Sequence, residues 1–218
     1  MPIWESVGIL SQDLQIRTQQ YAELHENSEA GQKRRSAFQA AIHGSRFQVQ
    51  GIGIEMNQRY FSKAVYLKDE GPETAPPSLS KEDAILHYQK TTYPGARLPH
   101  AWLNKRLPSK LISTHDLAGK GRFTIFTGIG GVEEWKTAAA RVSTSLGIPL
   151  IVVYSIGFHQ DYEDPYFGWA QLREVDESGC VLVRPDRFVG WRCKTLEKRN
   201  EDITEKLLLV MKTLLSLD

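Results

Sequence analysis

The stretch Gly179–Cys193, GCVLVRPDRFVGWRC, constrains the fold more than any other part of the sequence. Two short runs rich in β-branched and aromatic residues, Val181–Arg184 and Phe188–Trp191, flank Pro185-Asp186-Arg187. Proline presets φ for a turn and Asp bonds nearby backbone, so the pattern predicts a β-hairpin. With the turn centred on Asp186-Arg187, Leu182 is expected opposite Trp191, Arg184 opposite Val189, and Cys180 opposite Cys193.

The sheet that this hairpin joins is legible upstream of it. Tyr93-Pro94-Gly95-Ala96-Arg97 fits a type II turn, with Pro second and Gly supplying positive φ third. Leu98–Leu103 and Leu111–Leu117 read as short strands, and Arg122–Thr127, RFTIFT, as a buried one. Gly128–Gly131 leads into Val132–Leu146, where Val132, Trp135, Ala139, Val142 and Leu146 recur at spacings of 3, 4, 3 and 4, one face of an amphipathic helix. Gly147 and Pro149 close that helix. Leu150–Ile156, LIVVYSI, is apolar enough to lie centrally in a sheet. An acidic, aromatic loop at His159–Gly168 precedes the hairpin, and Glu201–Leu217 has the periodicity of a second packed helix. Strand, helix, strand, hairpin, helix is the layout of an α/β, thioredoxin-like mixed sheet with flanking helices.

The amino-terminal part reads differently. Leu10, Leu14 and Tyr21 suggest one helix, and Ser28 caps a second over Glu29–Ile42, with Gly44 just past its end. Lys33-Arg34-Arg35 reads as a solvated helix face. Phe47–Tyr60 alternates apolar and polar residues, which predicts a short β element broken at Gly51 and Gly53. Asp69–Asp83 is rich in Pro, Ser and acid and reads as a loop or boundary. The expected organisation is therefore a mostly helical segment over 1–68, a linker over 69–92, and a sheet domain over 93–218.

Composition sets outer bounds. A net charge of +1 supplies no field that would draw the chain to nucleic acid or an anionic membrane. No apolar run approaches the roughly 20 residues that span a bilayer. The start, MPIWESVGILSQDLQ, lacks the order of a signal peptide, and two cysteines make no disulfide framework, so a reducing cytoplasm is expected.

Four blocks carry a family resemblance: MNQRY (Met56–Tyr60), YPGARLPHAWL (Tyr93–Leu103), STHDLAGKGRFTIFTGIGG (Ser113–Gly131) and GCVLVRPDRFVGWR (Gly179–Arg192). In order and rough spacing they resemble the carboxy-terminal part of FAD-dependent aromatic hydroxylases, the phenol and chlorophenol monooxygenases above all. The resemblance implies that residues before Tyr93 end an FAD and substrate domain, and that the thioredoxin-like domain serves subunit contacts and stability. It implies FAD, NAD(P)H and O₂ for a complete enzyme, and a flavin-binding domain or chain, or a homodimer, as partner. His115 stands where the family usually has an aliphatic residue.

The family's dinucleotide turn has no counterpart here. Gly128-Ile129-Gly130-Gly131-Val132-Glu133 imitates G-x-G-x-x-G, but Glu133 replaces the third glycine, and its size and charge oppose pyrophosphate. No cofactor is therefore expected on this chain alone. Redox thiol chemistry is excluded at the usual place, because Thr127–Gly131 holds no sulfur. Cys180 and Cys193, with β-carbons about 4.5–5.5 Å apart, are either a cross-strand disulfide or, the favoured alternative, two small buried hydrophobes. His159, Asp161, Glu163 and Asp164 form the densest group of metal-ligand types, but a single His among loop carboxylates does not define a site, and no metal is assigned. His115-Asp116 fails as a catalytic pair if both lie on a strand, where neighbours point to opposite faces. No catalytic residue is named. Arg97, Trp102, Arg184, Asp186, Trp191 and Arg192 are candidates for structural or interface roles. The function expected is the carboxy-terminal portion or a separate subunit of a phenol-type monooxygenase. The alternative is a non-enzymatic dimerisation or interaction module.

Overall fold

The computed structural model describes residues 2–6, 11–105, 108–196 and 202–217. The chain divides into two compact units, one of residues 1–55 and 79–88, the other of residues 56–78 and 89–218.

The first unit is helical: α1 (Pro2–Ser6), α2 (Leu14–Glu23), α3 (Glu29–Val49), α4 (Ile52–Met56, whose last residue falls in the second unit) and α5 (Lys81–Leu86). Leu10, part of the expected first helix, lies outside the described residues. Ser28 caps α3 as expected, its Oγ accepting from Gly31 N at 3.0 Å. The helix then runs straight through Gly44 to Val49. A mid-helix glycine costs only about 1 kcal/mol, and Arg46 beyond it pairs with Glu82 of α5. The β element expected over Phe47–Tyr60 is helical instead, apart from one bridge between Arg59 and Ala96 in the second unit. Gly53 explains why: a Cβ there would stand 2.1 Å from Ala84 O, so this glycine permits α4 to pack on α5. Arg34 and Arg35 do more than face solvent. Arg34 pairs with Glu23 at 2.6 Å, and Arg35 Nη1 donates to the carbonyls of Leu24 and Glu26 at 3.0 and 2.7 Å, tying α2 to α3.

The second unit contains a two-stranded antiparallel sheet, β1 (Trp102–Asn104) with β2 (Leu111–Ser113), and a four-stranded mixed sheet. The latter comprises β3 (Thr124–Thr127), β4 (Val152–Ser155), β5 (Cys180–Val183) and β6 (Val189–Cys193), in spatial order β4-β3-β5-β6. β3 is parallel to β4, and the remaining pairs are antiparallel. Its helices are α6 (Thr114–Leu117), α7 (Val132–Leu146), α8 (Gly168–Leu172) and α9 (Ile203–Leu215). The mixed sheet with flanking helices is thus as expected, and α7 has the predicted bounds, with Gly147 left-handed at its C-cap. The α9 start differs, since Asp202 caps it and Glu201 lies outside the described residues.

Alternation along the strands sorts two cores. Cys180 and Leu182 join Ile125 and Trp191 beneath α7 and α9, against Trp135, Val142, Leu207 and Met211. Val181 and Val183 join Phe126 and Val189 on the other face, against Leu98, Leu103, Leu117 and Trp169. Each such side chain contributes about 1.5–3 kcal/mol on burial. Three expectations change. Of Leu98–Leu103 only Trp102 and Leu103 are strand, in β1. β4 lies at the sheet's edge, not its centre, and the return of Asp161–Tyr162 covers part of that edge: Tyr162 N donates to Ser155 O at 3.0 Å. Leu111–Leu117 is a strand only to Ser113, whose hydroxyl then caps α6.

Candidate functional site

The hairpin forms with Leu182 opposite Trp191 and Cys180 opposite Cys193, but Val183, not Arg184, lies opposite Val189. The turn is one residue longer than expected on one arm. Arg187 N returns to Arg184 O at 3.0 Å, Arg187 takes φ 67, and Arg184 N then donates to Phe188 O at 2.8 Å. Gly190 is the extra residue of the resulting bulge. Asp186 holds the turn, accepting from Phe188 N at 3.2 Å and from Arg184 Nη2 at 2.7 Å.

The outer edge of β6 is engaged at Val189 and Gly190. Val189 exchanges hydrogen bonds with Gly95 and Ala96, at 2.7 and 2.8 Å, and Gly190 O accepts from Tyr66 N at 2.8 Å. The Tyr93–Ala96 turn that does this is type II, with Gly95 at φ 92 and Ala96 N bonded to Tyr93 O at 3.0 Å. Side chains repeat the pattern. Arg184 donates to Ala64 O at 2.9 Å and lies over the Tyr60 ring, and Arg97 lies over Phe188. Trp191 Nε1 donates to Asp69 Oδ2 at 2.7 Å, and Lys206 Nζ reaches Asp69 Oδ1 at 2.7 Å.

Arg192 is the centre of this arrangement. Its side chain is 2% exposed and Glu70's is 3% exposed. Nε and Nη2 grip the two Glu70 oxygens at 2.7 and 3.0 Å, Nη2 also reaches Thr74 O at 3.1 Å, and Nη1 pairs with Glu174. Glu174 in turn accepts from Thr91 Oγ1 at 2.8 Å and Thr92 N at 3.2 Å. Burial opposes the guanidinium charge, but the bonds and charge of Glu70, with Glu174 behind it, hold its pKa above the ordinary value. Five of the six candidates, Arg97, Arg184, Asp186, Trp191 and Arg192, therefore converge on one clamp. Trp102 stands apart, half exposed and edge-on to His100. Sequence reasoning missed Asp69, Glu70 and Glu174. An Arg on a strand otherwise made of Val, Gly, Trp and Cys signals a buried carboxylate partner, but nothing local says which.

The glycine turn before α7 does not fit a dinucleotide. Glu177 already fills it: Gly130 N donates to Glu177 O at 2.9 Å and Ile129 N to its carboxylate at 3.2 Å. A Cβ on Gly128 would stand 2.5 Å from Glu177 Oε2, and one on Gly131 2.5 Å from Ser178 O. These glycines serve close packing within the chain, and a fixed carboxylate sits where a pyrophosphate would need to approach. The hydrogen bond from Arg173 lowers the Glu177 pKa against the opposing effect of burial.

Cys180 and Cys193 are free thiols. Burial raises both pKa values, that of Cys193 to about 11, which disfavours the reactive thiolate. His115 and Asp116 lie on α6, not a strand. Asp116 accepts from Ser113 N at 2.9 Å, while His115 Nε2 meets Leu98 O at 2.6 Å, satisfying a polar ring where an aliphatic residue was expected. In the acidic loop, Asp161 bonds Ser155 N at 3.0 Å and Asp164 bonds Gly168 N and Ala170 N at 3.0 and 2.8 Å. Among the described residues no three His, Cys, Asp or Glu side chains come together to hold a metal, and no helix is long and apolar enough to cross a membrane.

A family model described as "Aromatic-ring hydroxylase, C-terminal" matches residues 91–212. Phenol 2-monooxygenase of Pseudomonas sp. (strain EST1001) is 42% identical over 196 residues, covering 89% of this chain and 31% of its own length. For 2,4-dichlorophenol 6-monooxygenase of Delftia acidovorans the identity is 38% over 202 residues, covering 92% and 33%. The crystal structure of the flavin-dependent monooxygenase PieE in complex with FAD and substrate is similar over 100% of this chain and 35% of that one, with TM-score 0.80 and 36% identity. The chain thus spans about a third of the length of the curated relatives it matches.

Proposed function

Because the chain belongs to the aromatic-ring hydroxylase C-terminal family, we propose that it is the carboxy-terminal portion or a separate subunit of an FAD-dependent, phenol-type monooxygenase. The complete enzyme would hydroxylate an aromatic ring with NAD(P)H and O₂, and a flavin-binding domain or chain would supply the cofactor site. The observation that carries this reading is the near-complete coverage of the chain by one third of two phenol-type monooxygenases. The occupied glycine turn agrees with a flavin site located elsewhere. On this reading residues 1–68 close the flavin and substrate domain, 69–92 link, and the thioredoxin-like 93–218 lends stability and subunit contacts.

A second reading, a non-catalytic module that pairs with itself or a partner, is favoured by the complete double core of the sheet unit. FAD titration followed by visible absorbance separates them, with the chain alone and with a flavoprotein supplying the remaining two thirds of a phenol monooxygenase. The proposal expects no stoichiometric FAD uptake alone and a stable complex with the flavoprotein. Tight uptake by the chain alone overturns it, and no complex leaves the second reading.

A further inference from the structure

The acidic, aromatic loop between β4 and α8 takes no part in the clamp. A cavity of about 480 Å³ lies between this loop and the turn before α7, lined by Ile129, Ile156, Phe158, Glu163, Phe167 and Trp169 among others. That volume falls in the range of small-molecule sites, roughly 300–1,000 Å³. Its position, beyond the carboxyl ends of the parallel pair β3 and β4, is where α/β sheets hold ligands.

Three observations give the occupant's chemistry. First, Phe158, Phe167 and Ile129 are 77%, 69% and 56% exposed, so apolar surface rims the cavity without covering of its own. Secondly, Phe167 is held at φ 53, a conformation a bulky residue rarely adopts. The Asp164 carboxylate braces the turn that follows it, accepting from Gly168 N and Ala170 N. Thirdly, the polar lining is acceptor-rich. Asp164 is engaged in those bonds, Arg173 and Glu177 pair at 2.5 Å, and the half-buried Glu163 carboxylate has no partner among the described residues. The lining carries three carboxylates against one guanidinium.

We propose that this cavity binds a small aromatic molecule bearing a neutral or cationic hydrogen-bond donor, with the ring among Phe158, Phe167 and Trp169 and the donor on Glu163. Aromatic anions are disfavoured by the same carboxylates. The site lies wholly within the sheet unit and needs no flavin, so it stands or falls separately from the monooxygenase reading.

The test is an amide-resolved NMR titration of the 218-residue chain with phenol, benzylammonium and benzoate. Phenol and benzylammonium are expected to give saturable shifts at Ile129, Gly157, Phe158 and Ala170, with benzoate about tenfold weaker, a gap of about 1.4 kcal/mol. Phe167→Gly relieves the backbone and keeps the fold, yet should weaken phenol about threefold to tenfold, the size of one lost ring contact. Glu163→Gln should narrow the gap between benzylammonium and benzoate. Shifts that map elsewhere, that fail to saturate, or that are equal for benzoate and phenol overturn the proposal, as does unchanged affinity in Phe167→Gly.

Discussion

The two units of this chain bury their apolar residues to very different extents. The sheet unit seals Trp135, Trp169, Trp191 and Phe126 at 2% exposure or less. Among the described side chains of the helical unit's longest helix, 21 residues, only Gly31 and Ala41 are buried, while Ile42, Phe47 and Val49, with Ile52 and Ile54 of α4, stay exposed. Helix α7 shows what the second kind lacks: its apolar positions line up on one face and meet a sheet, whereas those of α3 do not form a buried stripe. One unit is held by packing and a buried ion network; the other is held by caps and by ion pairs such as the part-buried Arg34–Glu23 and the more exposed Arg46–Glu82, exposed pairs being worth about 1 kcal/mol or less. Substitutions should therefore act on the two units with different force.

The largest effect belongs to Arg192. Arg192→Ala leaves the Glu70 carboxylate buried without its cation, and loss of about 3–5 kcal/mol is expected in urea unfolding followed by tryptophan fluorescence. Arg192→Met combined with Glu70→Gln should recover much of that loss, because the uncompensated charge is gone. If the double variant is as unstable as Arg192→Ala, the network's geometry rather than its charge balance is what matters.

Gly131→Ala comes next. Its Cβ would meet Ser178 O at 2.5 Å and Thr127 Oγ1 at 2.6 Å, so about 1–3 kcal/mol of overpacking is expected. A glycine kept for a phosphate instead would tolerate alanine in the empty chain, so a Tm within a degree of the parent would break the packing account.

A smaller effect appears in acid. Burial raises the Asp176 pKa, but bonds from Thr195, Ser178 and Gly179 outweigh it, and Arg173 lowers that of Glu177, so both carboxyls titrate below their ordinary values. Depressed folded-state pKa values stabilise above the unfolded values, about 4, and that contribution is lost as pH falls through the folded ones. The urea midpoint should fall between about pH 5 and 3, and Asp176→Asn with Glu177→Gln should flatten that limb. Both groups are exposed, so the difference is expected at about 1 kcal/mol or less. An unchanged acid limb would assign the pH dependence to other carboxyls.

The sequence made the sheet unit legible because its signals are local and agree. The periodicity of Val132–Leu146, the glycine after it, the Tyr93–Arg97 turn and the Leu182–Trp191 register all describe contacts within a few residues or across one hairpin. The helical unit was less legible, because the alternation at Phe47–Ile54 is decided by packing of Gly53 on Ala84, 31 positions away. The clamp was half legible: its arginines and tryptophan stand out in the hairpin, but two of their carboxylates, Asp69 and Glu70, lie in the stretch that composition marks as a loop, 122 residues distant. The αL position of Arg187 was hidden for another reason, since glycine or Asn would ordinarily announce it.

The smallest effect on stability separates the units most sharply. Val49→Ser with Ile54→Ser alters residues that are already exposed, so the isolated chain should change by less than about 0.5 kcal/mol. If these residues lie against a flavin domain, as proposed, the same variant should weaken the complex with the flavoprotein by far more than it weakens the fold. Limited proteolysis supplies the control. In the isolated chain cleavage should concentrate within residues 11–55, where little is buried, and spare β3 to β6. Adding the flavoprotein should protect the former and leave the latter unchanged. Resistance throughout the helical unit without any partner would mean that its exposed apolar residues need no covering, and the comparison between the two units would lose its functional meaning.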